Sequence, residues 1–265
     1  MNNDYWIDNH FNLIPYSPYI FAVSTVVFLF IGWVHGRYRL KTNKKVMVRD
    51  ELASTIFGLS ALILGFIFVT AVDHYNQRTE AIRNEALSLD RVYASTKYLN
   101  AADQIIAKKH LKDIVDARLN VYQDANSFDD LDRNIASLET QLDQFNEFIT
   151  QSIARSPVAT REFADKTLRS RVDKLSDVFA TAVLHAKNHP AVLLERFLFI
   201  QLIVSAMLCG YSMAVKKEED WYLTMLYLVL MAVMLYVINC LEFPNQLVSF
   251  DMFNRELLRF QKLVQ

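Results

Sequence analysis

The side chains best suited to chemistry in this chain are a histidine pair and a run of aspartates. His185 and His189 stand four residues apart, so a helix would set both on one face, a spacing that can hold a metal ion. No third ligand accompanies them, and an ordinary surface pair at a helix end accounts for them as well. Asp124, Asp129, Asp130 and Asp132 offer the oxygen ligands that calcium takes, but the stretch lacks the glycine and the twelfth-position glutamate of an EF-hand loop. Asp129 and Asp130 also suit a helix N-terminus, where the dipole favours carboxylates. No metal site and no cofactor is therefore expected. The chain has only five glycines and no phosphate-cradling loop. It has no GxSxG, CxxC or HExxH motif, so no catalytic residue is assigned and an enzyme is not expected.

What remains is the chemistry of letting an ion through a membrane or of packing helices inside one. Ser54 and Gly58, and Ala61 and Gly65, are small residues four apart, the pattern that lets helix backbones approach closely. The adjacent face carries Leu62, Phe66 and Val69, which fit an apolar constriction that gates by dewetting. Ala206 and Gly210, and Ser205 and Cys209, repeat the small-residue theme further on. Gln201 and Asn239 are polar groups near membrane depth, expected to hydrogen-bond to a neighbouring helix. No ionisable residue falls in mid-span, as a proton-coupled pump would need, and no paired broken helices mark a secondary transporter. Asp73 and His74, with Glu195 and Arg196, would form a charged vestibule or mark where lipid ends.

The elements that must position these residues are membrane helices. Four stretches lack charge over roughly the 20 residues that a span requires: about Tyr19–Val34, Leu52–Val72, Phe197–Val215 and Trp221–Leu241. Trp33 and Trp221 sit at segment ends, where an amphipathic ring prefers the headgroup layer. The 265 residues are 52% hydrophobic with a formal net charge of −1, which argues against a nucleic-acid partner. Cys209 and Cys240 fall inside spans and imply no disulfide framework. The first 18 residues hold no Lys or Arg, so no positively charged leader is expected. The loop after the first span holds Arg37, Arg39, Lys41, Lys44, Lys45 and Arg49, and the loop before the fourth holds Lys216 and Lys217. The N-terminal segment, with Asp4 and Asp8, holds none. By the positive-inside rule both loops are cytoplasmic and the region between the second and third spans is extracytoplasmic. Arg255, Arg259 and Lys262 in the tail weigh the other way.

That intervening region has helical periodicity throughout. From about Glu51 to Leu99 there is no proline, and Gly58, Ala61, Gly65, Phe68, Val72, Tyr75, Thr79, Ile82, Ala86, Leu89, Tyr93 and Thr96 alternate steps of three and four. The pattern predicts one helix, with a heptad seam, running from the second span into water. Asn100 or Asp103 is placed to cap a second helix, bearing Leu111, Val115, Arg118 or Leu119, and Tyr122. Asp129 or Asp130 is placed to cap a third, with Leu131, Ile135, Leu138, Leu142, Phe145 and Ile149 on its stripe. A fourth begins near Thr160, carries Ala164, Leu168, Arg171, Leu175, Val178 and Ala182, and stops at Asn188-His189-Pro190. After the fourth span a short amphipathic helix aligns Phe253, Leu257, Phe260 and Val264, lying on the bilayer or docking on the bundle. The fold class is thus all-α: four transmembrane helices with a helical-bundle insert between the second and third. The expected divisions are a hairpin at 1–72, a bundle at 73–190, a second hairpin at 191–241 and a tail at 242–265.

This layout resembles the bestrophin-like membrane proteins of bacteria, from about Leu52 to Phe250. The residues that carry it are Gly58–Phe66 with Leu64-Gly65-Phe66, Asn84-Glu85-Ala86, His189-Pro190, and Leu241-Glu242-Phe243-Pro244. The family's tail has an aspartate before the proline and a phenylalanine after it, where this chain has Glu242 and Asn245. Bestrophins proper are pentameric anion channels, some bacterial members favouring cations. Their Leu-Gly-Phe is followed about a dozen residues on by Asn-Gln, matched here by Asn76-Gln77. They narrow their pore with three apolar residues four apart, and the resemblance puts Gly58, Leu62 and Phe66 there. No counterpart of the animal calcium clasp is visible. The resemblance implies an oligomeric, channel-like protein of the bacterial inner membrane, a homo-oligomer in a lipid bilayer passing monovalent ions. Bestrophins keep their insert in the cytoplasm, opposite to the side the basic loops indicate here. The alternative function is a membrane sensor or scaffold whose bundle binds a ligand or protein partner.

Overall fold

The computed structural model describes residues 16–42, 46–123, 127–187, 192–217 and 220–265. Asp4, Asp8, Lys44, Lys45, Asp124, His189 and the helix stop at Asn188-His189-Pro190 lie outside them, as do the side chains of Tyr122, Glu195, Arg196 and Asn245. The described elements are helical: α1 (Ser17–Thr42), α2 (Asp50–Ser95), α3 (Ala101–Gln123), α4 (Phe128–Arg155), α5 (Val158–Ala164), α6 (Ser170–Lys187), α7 (Val192–Lys216), α8 (Trp221–Glu242), α9 (Pro244–Leu247), α10 (Phe250–Phe253) and α11 (Arg255–Val264). Among the described residues four helical stretches are long and apolar enough to cross a membrane: Tyr19–Thr42, Asp50–Tyr98, Phe197–Lys216 and Trp221–Glu242. The chain is a multi-pass membrane protein. It divides into a membrane unit, Leu13–His74 with His189–Phe243, and a bundle unit built on Tyr75–Asn188 with Pro244–Gln265.

In the membrane unit α1 and α7 pack backbone to backbone. A Cβ on Gly32 would collide with the Met207 carbonyl, one on Gly210 with the Leu29 carbonyl, and one on Gly36 would lie 2.8 Å from the Ala214 Cβ. Gly32-xxx-Gly36 is therefore the small-residue motif that closes this crossing, with Gly210 and the buried Ala206 facing it. At one end the Trp33 and Trp221 rings lie 6.0 Å apart, with the Arg37 guanidinium 5.2 Å above Trp33. The spanning part of α2 buries Ile63, Leu64, Ile67 and Ala71 against Leu198, Leu202, Leu235 and Ile238.

The bundle unit has one core, in which Leu89 and Val92 of α2 meet Leu111 and Ile114 of α3, Leu138 and Phe145 of α4, and Leu168, Leu175 and Phe179 of the α5–α6 arm. Asn100 caps α3: its Oδ1 accepts from the Asp103 N–H at 2.8 Å, and its Nδ2 donates to the Asp103 carboxylate at 2.7 Å. The cap of α4 is Ser127, whose hydroxyl accepts from the Asp130 N–H. The aspartates expected there instead occupy the first turn, where the dipole still favours them. The fourth helix starts at Val158 rather than near Thr160 and widens into a π turn at Asp165–Arg169. The stripe keeps Ala164, Leu168, Leu175 and Ala182, while Val172 and Phe179 are buried in place of Arg171 and Val178. The tail helix docks on the bundle, with Leu257 and Phe260 essentially inaccessible within its core. Burying two such side chains is worth about 1.5–3 kcal/mol each, which decides between the two placements left open by the sequence.

Candidate pore site

The spanning part of α2 sorts its residues unexpectedly. Its buried polar group is Ser60, 2% exposed. The Ser60 and Ser205 hydroxyls are 2.6 Å apart, and the Gln201 amide donates to Ser60 Oγ at 3.1 Å and to the Ile56 carbonyl at 3.3 Å. Gln201 thus bonds across helices as expected, and the Asn239 amide donates to the Leu235 carbonyl one turn back at 2.9 Å. The outward face carries Leu62 and Phe66, 56% and 62% exposed, with Val69 one turn on. Ser54, Gly58 and Ala61 share that face, with Gly65 at its edge. Beyond their own helix turn, nothing among the described residues lies within 4 Å of a Cβ placed on Gly58 or Gly65. Of the small residues singled out from the sequence, Ala206 and Gly210 meet a neighbouring helix of their own chain, while Ser54, Gly58, Ala61 and Gly65 are turned away from it.

The heptad seam read along α2 therefore does not stay on one face. Gly58 and Ala61 are exposed, but Ile82, Ala86, Leu89 and Thr96 are buried. A 3.5-residue step slips by about 20° per heptad against a 3.6-residue turn. Over this length the seam moves from exposed positions in the spanning part of α2 to buried ones in the bundle part. In the spanning part the buried residues lie off the seam, at Ser60, Ile67 and Ala71, whereas in the bundle unit the seam residues Ile82, Ala86 and Leu89 are themselves buried.

His74 does not face a vestibule. Its Nδ1 lies 3.1 Å from Glu242 Oε1, and both side chains are largely buried, at 11% and 4% exposure. This pair joins the end of the spanning part of α2 to the last residue of α8, and Asp73 beside it is exposed. The His–Glu pairing is a link that sequence reasoning missed; the departure from the family's tail aspartate at Glu242 was its only trace. Among the described residues no three His, Cys, Asp or Glu side chains converge as a metal site would require.

No family model and no curated protein sequence matches the chain. Solved structures do. Two variants of a bacterial bestrophin homologue from Klebsiella pneumoniae superpose with TM-scores of 0.67 and 0.66. Each is 12% identical to this chain, covers 93% of it and is itself covered over 98% of its length. The chain has the bestrophin fold. The superposition takes in the spans and the bundle alike, so the bestrophin fold includes the insert as well as the membrane helices. At this identity the agreement is one of architecture, and the chemistry of the α2 face has to be read from its own residues.

Proposed function

We propose that the protein is an oligomeric channel for monovalent ions, its pore lined by the outward face of α2 and narrowed at Gly58, Leu62 and Phe66. One contrast carries this reading. The exposed residues of the spans in α1 and α8 are bulky, for example Val23, Val27 and Phe30, and Leu226, Val229 and Val233. The exposed face of α2 instead mixes Ser54, Thr55, Gly58 and Ala61 with Leu62 and Phe66. Lipid gains nothing from glycine and hydroxyl groups, whereas a close helix neighbour or a column of water does. With its polar side satisfied by Ser205 and Gln201, α2 presents an apolar ring wherever copies of it surround an axis. Such a ring holds back water and ions until it widens. In liposomes of purified protein, monovalent ion flux should exceed that of empty liposomes, and Phe66→Ala should raise it several-fold by removing the largest ring member. An unchanged flux in Phe66→Ala would remove Phe66 from the pore.

The membrane is the bacterial inner membrane in this reading, and the basic residues Arg37, Arg39, Lys41, Arg49, Lys216 and Lys217 hold their loops in the cytoplasm. The bundle is then extracytoplasmic. Alkaline phosphatase fused at Asn126 should be active and a fluorescent-protein fusion there dark; the reverse pair of results would put the bundle in the cytoplasm.

A further inference from the structure

Around α2 in the bundle unit, consecutive residues point about 100° apart, so its two flanks can be told from their partners. One flank holds α11: Arg259 donates to Asp90 at 3.2 Å, and the Phe260 and Tyr93 rings meet edge to face at 6.3 Å. The other flank holds α6: Arg171 donates to the Arg91 carbonyl at 2.9 Å and to Ser95, and Arg78 donates to the His185 carbonyl at 3.4 Å. Leu87 and Ala94, both exposed, lie between the flanks.

The two flanks carry opposite charge. Along the α6 flank runs an open groove of about 770 Å³ into which Glu80, Asp173 and Asp177 project, opposed by Lys174. None of these carboxylates has an ion pair among the described residues. Leu184, on the same helix face as Asp177 and Thr181, is 69% exposed beside the groove. On the α11 flank Arg255 and Lys262 are exposed and likewise have no ion pair among the described residues, and Leu263 next to them is 53% exposed. The groove follows α6 from Asp173 to His185, about 18 Å of helix, and α11 is about 15 Å long, each at a 1.5 Å rise per residue.

A ring of identical subunits is closed by heterologous contacts, in which one face of each copy meets a different face of the next. We infer that the acidic α2–α6 groove receives the basic face of α11 from a second copy of this chain. Arg255 and Lys262 then meet Asp173, Asp177 and Glu80, and Leu263 packs near Leu184. The charge match fixes the register and direction of the ring, while the exposed leucines supply apolar area at the contact. This inference rests on the oligomeric reading above and adds the surfaces that join the copies.

The test uses the full-length protein in nanodiscs, with mass measured by light scattering. Asp173→Lys with Asp177→Lys should make the assembly dissociate at a concentration at least about tenfold higher, and adding Arg255→Glu with Lys262→Glu should restore it. In a chain carrying Cys209→Ala and Cys240→Ala, the pair Asp177→Cys and Lys262→Cys should oxidise to a ladder of trimers and larger species, whereas either cysteine alone should not. An unrestored charge swap together with no ladder, or a ladder that ends at dimers, overturns this interface while an intact assembly by light scattering leaves the channel reading standing. A wild-type monomer by light scattering overturns both.

Discussion

Gly32→Leu and Gly210→Leu will each prevent the membrane unit from folding, whereas Gly65→Leu will not. At Gly32 and Gly210 the obstacle to a side chain is the backbone carbonyl of the facing helix, which has no rotamer to escape into. Overpacking a well-packed site costs about 1–3 kcal/mol when side chains can shift; against backbone on both helices the cost lies at or above the top of that range. At Gly65 a Cβ meets nothing within 4 Å beyond its own helix turn among the described residues, so a leucine there leaves the protomer intact and alters only what the outward face of α2 does. Yield of detergent-stable protein on size exclusion separates the two classes: the first two variants should aggregate, and the third should elute as wild type while its ion flux changes. Wild-type yield for Gly210→Leu would mean that α1 and α7 do not cross as described.

The second large effect belongs to the bundle core. Glu85 is fully buried, and Arg118, 7% exposed, donates to its Oε1 at 2.8 Å. Glu85 Oε2 is buried without a hydrogen-bond partner among the described residues. Burial pushes the Glu85 carboxyl above the usual carboxylate range, and the Arg118 charge and hydrogen bond only partly offset it. Removing one member of a buried pair costs about 3–5 kcal/mol, while replacing both by apolar groups of similar volume is often neutral. Arg118→Met should therefore destabilise the protein strongly, and Glu85→Leu with Arg118→Met should recover most of the loss. The pH dependence has a definite sign. A carboxyl whose folded pKa is raised contributes its stability fully below the unfolded value and loses it as pH rises through the folded value. Without Arg118 the raising effect of burial is unopposed, so the deficit of Arg118→Met should shrink on going from neutral to acidic pH. Thermal unfolding across that range tests it; a double variant no more stable than Arg118→Met would contradict the pairing.

Much of this architecture was legible in the sequence because membrane spans and amphipathic helices announce themselves by length and period. The stripe Ile135, Leu138, Leu142, Phe145 and Ile149 lies buried on α4, since its spacing is that of the helix itself. Other features were hidden for physical reasons. The steps of three and four along α2 suggested a single seam, but a heptad drifts against a straight turn, and the residues that are buried, Ser60 among them, look like poor core candidates until Ser205 and Gln201 are brought to them by the fold. Gly32 and Gly36 have the small-residue spacing, but only the fold brings Met207 and Ala214 against them. The π turn before Ser170 leaves no compositional mark, and on α6 Val172 and Phe179 take the buried places expected of Arg171 and Val178. The His74–Glu242 pair joins residues far apart in the chain, and no local pattern encodes it. The side of the membrane is a different matter: it depends on Lys and Arg in short loops, not on packing.

The central claim is that the outward face of α2 lines water rather than lipid. It is tested most directly by Phe66→Cys in the chain carrying Cys209→Ala and Cys240→Ala, reconstituted in liposomes and treated with a charged, membrane-impermeant thiol reagent, with Val23→Cys as the lipid-facing control. The account predicts that monovalent ion flux through Phe66→Cys falls to the level of empty liposomes, while Val23→Cys is unaffected. Flux that persists with Phe66→Cys unmodified, or no flux above empty liposomes before the reagent is added, would contradict it.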